Sequence, residues 1–425
     1  MNRRRSRYIP VYSGAGTPYG DQILALFGSD IISYLKLSES SGTTAADATG
    51  NGRTGTYTNS PTLGAAGIGD GLTSVSFDGT NDLVDWYSTS LRDAFNAPAG
   101  SLMGWAKVLN SGVWTDSSYD TAGYLGADGN NKVYITKTTT NYRVGFAIYG
   151  GGSYRNVNVY TTSVYWLHMG ITWSTANSRV RAYLNGALHA VNANAPYTWT
   201  GSIASTRAVI GANNTTPTEP WKGYLAHWLV LNREATQAEM RSAASARGGY
   251  TFLGIIGDSI EDWEVTSDNW VAKVRDSHNS GKIGVYNHAV TGQNIMTHMD
   301  AQVVAAASDD VDKIIIALGT NDGNTSDIPA MQAECEENIA ELKSDHPGAS
   351  IYWLCPLKRW ADNTTGPEEP LGNTRTAIYN ACVAQGATYW DSYTDSWILQ
   401  SETTDGTHPT DAGHVKIATQ VKARL

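Results

Sequence analysis

The residue types in four short motifs of the C-terminal part of the chain could together hydrolyse an ester. The motifs are, in chain order, Gly257-Asp258-Ser259, Gly292, Gly319-Thr320-Asn321-Asp322 and Asp405-Gly406-Thr407-His408-Pro409. A serine hydroxyl is a weak nucleophile at neutral pH and needs an adjacent base, and an imidazole can take its proton. We therefore expect Ser259 to be a nucleophile and His408 its base.

The remaining parts of such a site are an acid that orients the imidazole and donors that stabilise an oxyanion. Asp405 precedes His408 by three residues, a helix-turn spacing that would let the carboxylate accept the ring N–H and fix the tautomer. The candidate oxyanion donors are the backbone N–H of Ser259, expected at the start of a helix, the backbone N–H of Gly292 and the side-chain amide of Asn321.

Each motif also has an ordinary structural explanation when it is taken alone. Gly-Asp-Ser is a common turn and helix N-cap, Gly-Thr-Asn-Asp is a loop, and Asp-x-x-His before a helix is often a cap. Asp258 and Asp322 are interpreted as hydrogen-bond acceptors that shape their loops rather than as the acid of the triad. Asp411 and His414 are interpreted as helix-surface residues. His288 and His298 flank Gly292 and could line the cleft, but ordinary loop positions are favoured. The four motifs together, each following a predicted strand, favour a catalytic site.

The elements that must position these motifs follow a strand–helix alternation from residue 251 onward. Compact apolar runs predict five strands, TFLGIIG, KIGVYNHAV, DKIIIALG, SIYWLCP and ATYWD. Helix-length segments lie at about 295–307, 328–346, 373–385 and 411–425. This order predicts a parallel sheet covered on both faces, with its ligands at the carboxyl ends of the strands, where the motifs lie.

Residues 251–425 resemble the SGNH (GDSL-like) hydrolase family, whose four named blocks are matched by Ser259, Gly292, Asn321 and His408. The resemblance makes Asp405 the third member of a triad and implies a three-layer, flavodoxin-like α/β fold. It also implies hydrolysis of esters or thioesters through an acyl-enzyme on Ser259, with no metal and no cofactor. A long loop, residues 358–372, follows the fourth strand, and we expect Arg359 and Trp360 in it to contact the substrate.

The preceding stretch, about 31–245, has a different pattern, with short alternating runs separated by Gly, Asn, Asp, Ser and Thr. Many short strands at such spacing predict an all-β sandwich or barrel. Residues 1–30 are expected to form a polar arm that ends in an apolar patch, Ile23 to Phe27. Ala235 to Arg247 is predicted to be a closing helix, with Gly248-Gly249 as a hinge. The expected domains are therefore 31–247 and 251–425.

The β-rich stretch resembles the laminin-G-like or concanavalin-A-like jelly-roll family. The similarity lies in turns such as Asn185-Gly186 and in the strand aromatics Trp105, Trp173 and Trp228, which specify a sandwich without identifying a ligand. The resemblance implies glycan binding in many members and calcium in some, but no calcium ligands can be assigned here. Glu is nearly absent between residues 40 and 218, which favours binding, adhesion or assembly over glycoside cleavage.

Charge and composition agree with this division. Residues 1–250 carry 19 Lys and Arg against 15 Asp and Glu, whereas residues 251–425 carry 11 against 25. The acidic second part argues against nucleic-acid binding, and a short basic cluster at Arg3, Arg4, Arg5 and Arg7 is expected to be a solvated tail or a contact to an acidic partner. The 14 Trp and 23 Tyr against five Phe suit either sugar stacking or a β-rich core with wet edges.

The spacing of the cysteines and the hydropathy of the chain indicate the compartment in which we expect the protein. Cys335, Cys355 and Cys382 fit no metal site and are expected to be buried thiols. The first residues have no apolar h-region, so no Sec signal peptide is expected, and no run of 18 apolar residues predicts a membrane span. We expect a soluble protein, either extracellular by a non-classical route or on a virion surface.

Two functions follow from these features. The first is a carbohydrate esterase that removes O-acetyl or similar acyl groups from a polysaccharide held by a lectin-like domain. The second is a structural or adhesion protein of a virion, such as a tail, fibre or capsid-decoration component, in which the esterase is accessory. A homo-oligomer is expected in the second case, and the two functions are compatible.

Overall fold

The computed structural model describes residues 17–193, 197–263, 268–360 and 371–425. The chain forms two compact units, Met1–Tyr250 and Thr251–Leu425. The basic cluster Arg3 to Arg7 and most of the long loop 358–372 lie outside the described residues. No helix within the described ranges is both long enough and apolar enough to cross a membrane.

The N-terminal domain is a sandwich of two antiparallel sheets, which confirms the predicted jelly-roll-like class. The strands β1 to β16 are Ile31–Leu35, Thr44–Ala45, Gly55–Thr58, Thr62–Ala66, Thr73–Asp78, Leu83–Asp85, Ala99–Val108, Asp120–Gly126, Lys132–Lys137, Arg143–Gly150, Ser153–Tyr160, Leu167–Ser174, Arg179–Leu184, Ala187–Asn192, Ala208–Ile210 and Lys222–Leu231. The first sheet has the order β14-β13-β12-β7-β16-β5-β4, with β1 also paired to β16, and the second has the order β11-β10-β9-β8-β15-β6-β3-β2.

The core between the two sheets is built around large aromatic side chains. Trp173 and Trp228 are fully buried in it. A Cβ atom added to Gly104 on β7 or to Gly123 on β8 would lie about 2.5 Å or 2.4 Å from the Trp228 ring. Each sheet therefore has a glycine where it faces the Trp228 indole, and the absence of a side chain at these two positions makes room for the ring in the close-packed core.

The outer face of the first sheet is covered by helices, and this corrects the expectation of an N-terminal arm up to residue 30. Residues Tyr19–Phe27 form helix α1, whose Tyr19, Ile23 and Phe27 repeat every four residues and are buried. They pack in one cluster with Trp105 of β7 and with α3, Gln237–Ser245. The periodicity of α1 extends over only nine residues, too short for sequence patterning to distinguish a helix from an isolated apolar patch. A short α2 spans Thr89–Ala94.

A buried lysine ties the loop before β8 to the second sheet. The side chain of Lys137, the last residue of β9, is 0 % exposed. Its ammonium donates to the backbone carbonyls of Asp116 (2.8 Å) and Ser118 (2.9 Å) and to the Asp116 carboxylate. The Asp120 carboxylate lies 3.9 Å away, and burial raises its pKa to about 6. The cation thus donates to the oxygens of Asp116 and Ser118, and its charge lies beside a buried Asp120 oxygen that has no hydrogen-bond donor among the described residues.

We predict that Lys137→Met destabilises the N-terminal domain strongly, because it leaves the oxygens of Asp116 and Asp120 without their cation. Loss of one partner of a buried ion pair costs about 3–5 kcal/mol. Urea denaturation of the full chain, followed by tryptophan fluorescence, measures this change. Lys132→Met is the control, since the ammonium of this half-buried lysine of the same strand lies over the rings of Tyr134 and Tyr149, and its loss should cost about 1 kcal/mol or less. Equal effects of the two substitutions would contradict the prediction.

The C-terminal domain is a parallel five-stranded sheet of order β18-β17-β19-β20-β21 with helices packed against it, which confirms the predicted α/β class. The strands β17 to β21 are Thr251–Gly257, Ile283–Asn287, Lys313–Ala317, Ser350–Leu354 and Thr388–Trp390. The helices α4 to α8 are Trp270–Ser277, Ile295–Ala306, Ile328–Asp345, Gly372–Gln385 and Asp411–Arg424. The order of the five strands is that of flavodoxin-like folds. Such folds bind ligands beside the first strand of the sheet, at the point where the following strands are added on its other side.

The four predicted helices of this domain begin and end within one residue of α5, α6, α7 and α8, whereas α4 was not predicted. Leu253 and Ile255 of β17 pack in one core with Trp270 of α4 and Ile417 of α8. The alternate residues of β17 point to the opposite face, and α5, α6 and α7 pack on one another in sequence. Helices therefore pack on the faces of the sheet, and the four motifs lie in the loops that follow β17, β18, β19 and β21.

Candidate active site

The first motif lies in a tight turn directly after the central strand. β17 ends at Gly257, and the N–H groups of Glu261 and Asp262 donate to the Asp258 carbonyl at 3.2 Å and 3.0 Å. Ser259 is therefore held in a single hydrogen-bonded turn and not, as the sequence suggested, at the first turn of a regular helix. Its side chain reaches the surface only narrowly, since the residue is 9 % exposed.

Ser259, His408 and Asp405 form a continuous hydrogen-bonded relay. The Ser259 Oγ atom lies 2.9 Å from His408 Nε2, and His408 Nδ1 lies 2.6 Å from Asp405 Oδ2. With Nδ1 donating to the carboxylate, Nε2 carries the free lone pair and accepts the serine O–H. This arrangement can remove the hydroxyl proton as the oxygen attacks a carbonyl carbon.

The electrostatics of Asp405 suit the stabilisation of an imidazolium. Its Oδ1 atom accepts the backbone N–H groups of Thr407 (2.9 Å) and His408 (2.7 Å). These bonds, above all that from the His408 N–H, lower the pKa of Asp405 to about 2, so the carboxylate is ionised throughout the neutral range.

The Asp405–His408 segment is a turn rather than the first turn of the last helix. The His408 carbonyl accepts the Thr404 N–H at 2.8 Å, and α8 begins only at Asp411. The spacing of three residues still brings the two side chains together because the carboxylate folds back on the backbone of the turn. The helix-face geometry expected from the sequence is therefore wrong, although the two side chains do meet.

The candidate oxyanion donors lie on neighbouring loops. Gly292 is the third residue of a turn closed by a bond from the Gln293 N–H to the Val290 carbonyl (3.3 Å), and its φ is +77°. The Asn321 side-chain amide donates one hydrogen to the Gln293 carbonyl at 2.8 Å. Because Gln293 directly follows Gly292, this bond connects the segments of two of the three predicted donors.

The two other acidic residues of the motifs shape their loops, as interpreted from the sequence. Asp258 is buried and accepts the Ile260 N–H at 3.1 Å, and burial raises its pKa. The Asp322 carboxylate accepts the N–H of Ile295 at 3.0 Å and 2.9 Å and thereby caps the N-terminus of α5.

Two residues that support the nucleophile were missed in the sequence. Glu261 is buried beside Ser259 and accepts the Trp270 indole N–H at 2.7 Å. Its pKa is raised well above the usual value, mainly by burial and to a smaller extent by the neighbouring Asp258 carboxylate. The Gln302 amide pairs with both backbone groups of Gly257 at 2.9 Å. The sequence does contain a signal for Gln302, because this polar residue lies on the same face of α5 as the apolar Ile295 and Met299.

The remaining histidines lie outside the relay. His298 lies in α5 and not, as interpreted from the sequence, in a loop, and its Nδ1 lies 3.0 Å from Asn294 Oδ1. His288 lies in the loop after β18, as expected, and its Nε2 lies 2.6 Å from Asp309. Asp411 is a surface residue paired with Lys273 at 2.7 Å, as expected. His414 corrects the sequence interpretation as a helix-surface residue, because it is buried against α4 and its Nδ1 lies 3.3 Å from the Trp270 backbone nitrogen.

Arg359 and Trp360, the predicted substrate contacts, are anchored beside two of the motifs. Arg359 Nη1 donates to the Thr320 carbonyl at 3.0 Å, and the Trp360 N–H donates to the Gly406 carbonyl at 2.7 Å. Residues 361–370 of the same loop lie outside the described residues. The two bonds attach the loop to the segments that carry Asn321 and His408.

Comparison with known proteins places the C-terminal domain. Residues 255–416 match the model of the GDSL-like Lipase/Acylhydrolase family. This match spans nearly the whole parallel-sheet domain, Thr251–Leu425, so this domain is similar to the GDSL-like lipase/acylhydrolase family. None of the curated proteins is similar to the chain in sequence.

Solved structures are similar to the chain at low identity. The binding domain of botulinum neurotoxin serotype D is 11 % identical, with 56 % of this chain and 55 % of that chain covered and a TM-score of 0.41. A protein from Lactobacillus plantarum is 18 % identical over 42 % of this chain and 97 % of its own, at a TM-score of 0.36. The CBM40 domain of a Ruminococcus gnavus sialidase, bound to α2,3-sialyllactose, is 13 % identical over 40 % and 96 %, at 0.34. The chain thus spans about half the length of the neurotoxin domain that it matches.

We predict that His414 makes the C-terminal domain lose stability as the pH falls from about 6.5 to 4. Burial lowers the pKa of His414 to about 4, so the unfolded chain binds a proton over this range that the folded domain does not. The loss approaches roughly 3 kcal/mol at the acid end and is absent above pH 7.

Urea denaturation at pH 7.5 and 4.5 of the wild type and of His414→Asn measures this effect. The asparagine amide oxygen can accept the Trp270 N–H but does not titrate, so the variant should have a flatter pH dependence. His298→Asn is the control. Identical pH dependence in the wild type and His414→Asn would contradict the prediction.

Proposed function

We propose that the chain is a serine esterase in which Ser259 is the nucleophile, His408 the general base and Asp405 the residue that orients and stabilises the imidazole. The observation that carries this proposal is the relay from Ser259 Oγ to His408 Nε2 (2.9 Å) and from His408 Nδ1 to Asp405 (2.6 Å). The family match of residues 255–416 supports the same class of reaction.

The reaction proceeds in two halves. His408 accepts the Ser259 proton as Oγ bonds to the ester carbonyl carbon, and the carbonyl oxygen becomes an oxyanion held by the N–H groups of Ser259 and Gly292 and the Asn321 amide. His408 then gives the proton to the leaving alcohol as its C–O bond breaks. Water, deprotonated by His408, attacks the acyl-enzyme, and collapse of the second tetrahedral intermediate releases the acid and restores Ser259.

We propose an acylated polysaccharide, O-acetylated above all, as the substrate. The side chains of His408 and Asp405 are 45 % and 54 % exposed, so the base is accessible to an ester carried on a bulky chain. In the N-terminal domain, Tyr134, Tyr149 and Tyr154 stack across neighbouring strands of the second sheet. Such hydroxyl-bearing rings, Tyr154 being substantially exposed, are typical of surfaces that contact sugars.

We predict that Ser259→Ala lowers hydrolysis of p-nitrophenyl acetate at least about 10³-fold, since the nucleophile is lost. Asp405→Asn should lower kcat by up to about 10⁴-fold, because an amide in place of Oδ2 favours the wrong imidazole tautomer. Initial rates over a range of substrate concentrations measure both effects. The matched controls Ser401→Ala and Asp395→Asn, which change exposed residues of the same domain, should retain full activity. An active Ser259→Ala variant would exclude the proposed nucleophile.

The substrate class is tested by acetate release from an O-acetylated polysaccharide, with the same polysaccharide after alkaline deacetylation as the blank. The wild type should release acetate and Ser259→Ala should not. Hydrolysis of p-nitrophenyl acetate without acetate release from any of several acetylated glycans would leave the esterase chemistry in place but contradict the polysaccharide substrate.

A further inference from the structure

One carboxylate connects the turn that carries the nucleophile to the turn that carries Gly292. Asp262 is only 8 % exposed and follows Ser259 by three residues. Its Oδ2 atom accepts both the backbone N–H of Thr291 at 3.0 Å and the Thr291 hydroxyl at 2.9 Å. The residue directly before Gly292 is thus held at two atoms by the nucleophile turn.

The orientation of the Gly292 N–H depends on the conformation of its turn. This N–H belongs to the central peptide of the turn from Val290 to Gln293, and the positive φ of Gly292 at the third position is the one that a type II turn requires. In a type I turn the central peptide is reversed, so the same N–H would point to the other side. The direction of this donor therefore depends on which of the two turn types the segment adopts.

The turn has open space around Gly292. Apart from its two chain neighbours, no described residue has an atom within 4 Å of the position that a Cβ would take on Gly292, and Thr291 is exposed. Hydrogen bonds on both sides hold the turn instead. Asp262 binds Thr291 before the glycine, and the Asn321 amide binds the Gln293 carbonyl after it.

We propose, on the basis of the esterase function proposed above, that Asp262 is a positioning residue that keeps the Gly292 N–H directed at the oxyanion formed on Ser259. Asp262 and Ser259 share one hydrogen-bonded turn, since the Asp262 N–H donates to the Asp258 carbonyl at 3.0 Å. A fixed link between the nucleophile and its oxyanion donor removes the reorganisation that an exposed loop would otherwise undergo at each turnover.

Asp262→Ala releases both bonds to Thr291, and Thr291→Val removes the hydroxyl bond while it keeps the β-branched shape. We expect kcat for p-nitrophenyl acetate to fall about 10- to 100-fold in Asp262→Ala, short of the full loss of an oxyanion donor, and several-fold in Thr291→Val. KM should remain within about threefold. Thr291→Ser keeps the hydroxyl and should retain wild-type kcat, and Asp395→Ala is the control for loss of a carboxylate on the same domain.

A second measurement separates positioning of the oxyanion donor from a general loosening of the site. Phenylboronic acid adds to a catalytic serine to form a charged tetrahedral adduct, so its affinity should fall in parallel with kcat in Asp262→Ala and Thr291→Val. The apparent pKa of the kcat/KM profile should stay at its wild-type value, because the Ser259–His408–Asp405 relay is unchanged. A shifted profile with unchanged boronate affinity would assign Asp262 to the relay and overturn the proposal.

The outcomes distinguish this inference from the proposed function. A wild-type protein that is inactive on p-nitrophenyl acetate would contradict the esterase itself. An active wild type whose Asp262→Ala variant keeps kcat and boronate affinity within twofold would overturn only the role of Asp262. If Asp262→Ala fails to fold, the pair Thr291→Val and Thr291→Ser decides, since equal kcat in the two would exclude the hydroxyl bond as a determinant of the turn.

Discussion

The site depends on the backbone of Gly257, where the central strand ends. Its N–H and C=O both pair with the Gln302 amide at 2.9 Å, and its carbonyl also accepts the Val290 N–H at 3.2 Å. A Cβ at this position would lie 2.9 Å from the Glu261 side chain. One residue without a side chain therefore connects the sheet, α5, the nucleophile turn and the turn of Gly292, and fixes the distances among them.

The pKa values of three carboxyl groups in this site are shifted in different directions. Burial raises the pKa of Asp258 and Glu261 and favours their neutral forms, whereas two backbone N–H groups and the imidazole lower that of Asp405 to about 2. The Asp405 carboxylate contacts His408, so an ionised acid lies where an imidazolium forms, whereas burial of Asp258 and Glu261 disfavours negative charge beside Ser259.

Sequence reasoning predicted what is encoded by local pattern and missed what depends on tertiary contacts. Of the four helices after residue 290 that were predicted within one residue, α5, α6 and α8 begin at the polar caps Asn294, Asp327 and Thr410, whereas α7 begins after Leu371 and is marked by its length and its terminal Gly386. Helix α1 was missed because nine residues carry too little periodicity. His414 was misassigned because nothing in its neighbourhood in the sequence reveals that α4 covers it. Asp262 and Gln302 act on residues 29 and 45 positions away in the chain, a relation that a single sequence does not contain.

The way in which His408 is held explains how an exposed base can still be precisely placed. The Asp405–His408 turn is fixed by backbone bonds, from Thr404 to the His408 carbonyl and from Trp360 to the Gly406 carbonyl. Such bonds lock the main chain without enclosing the side chain. A base held by burial would restrict the substrate to what fits a closed pocket, whereas one held by the main chain leaves its outer face open. The exposure of His408 therefore supports the proposal that the ester is carried on a polymer.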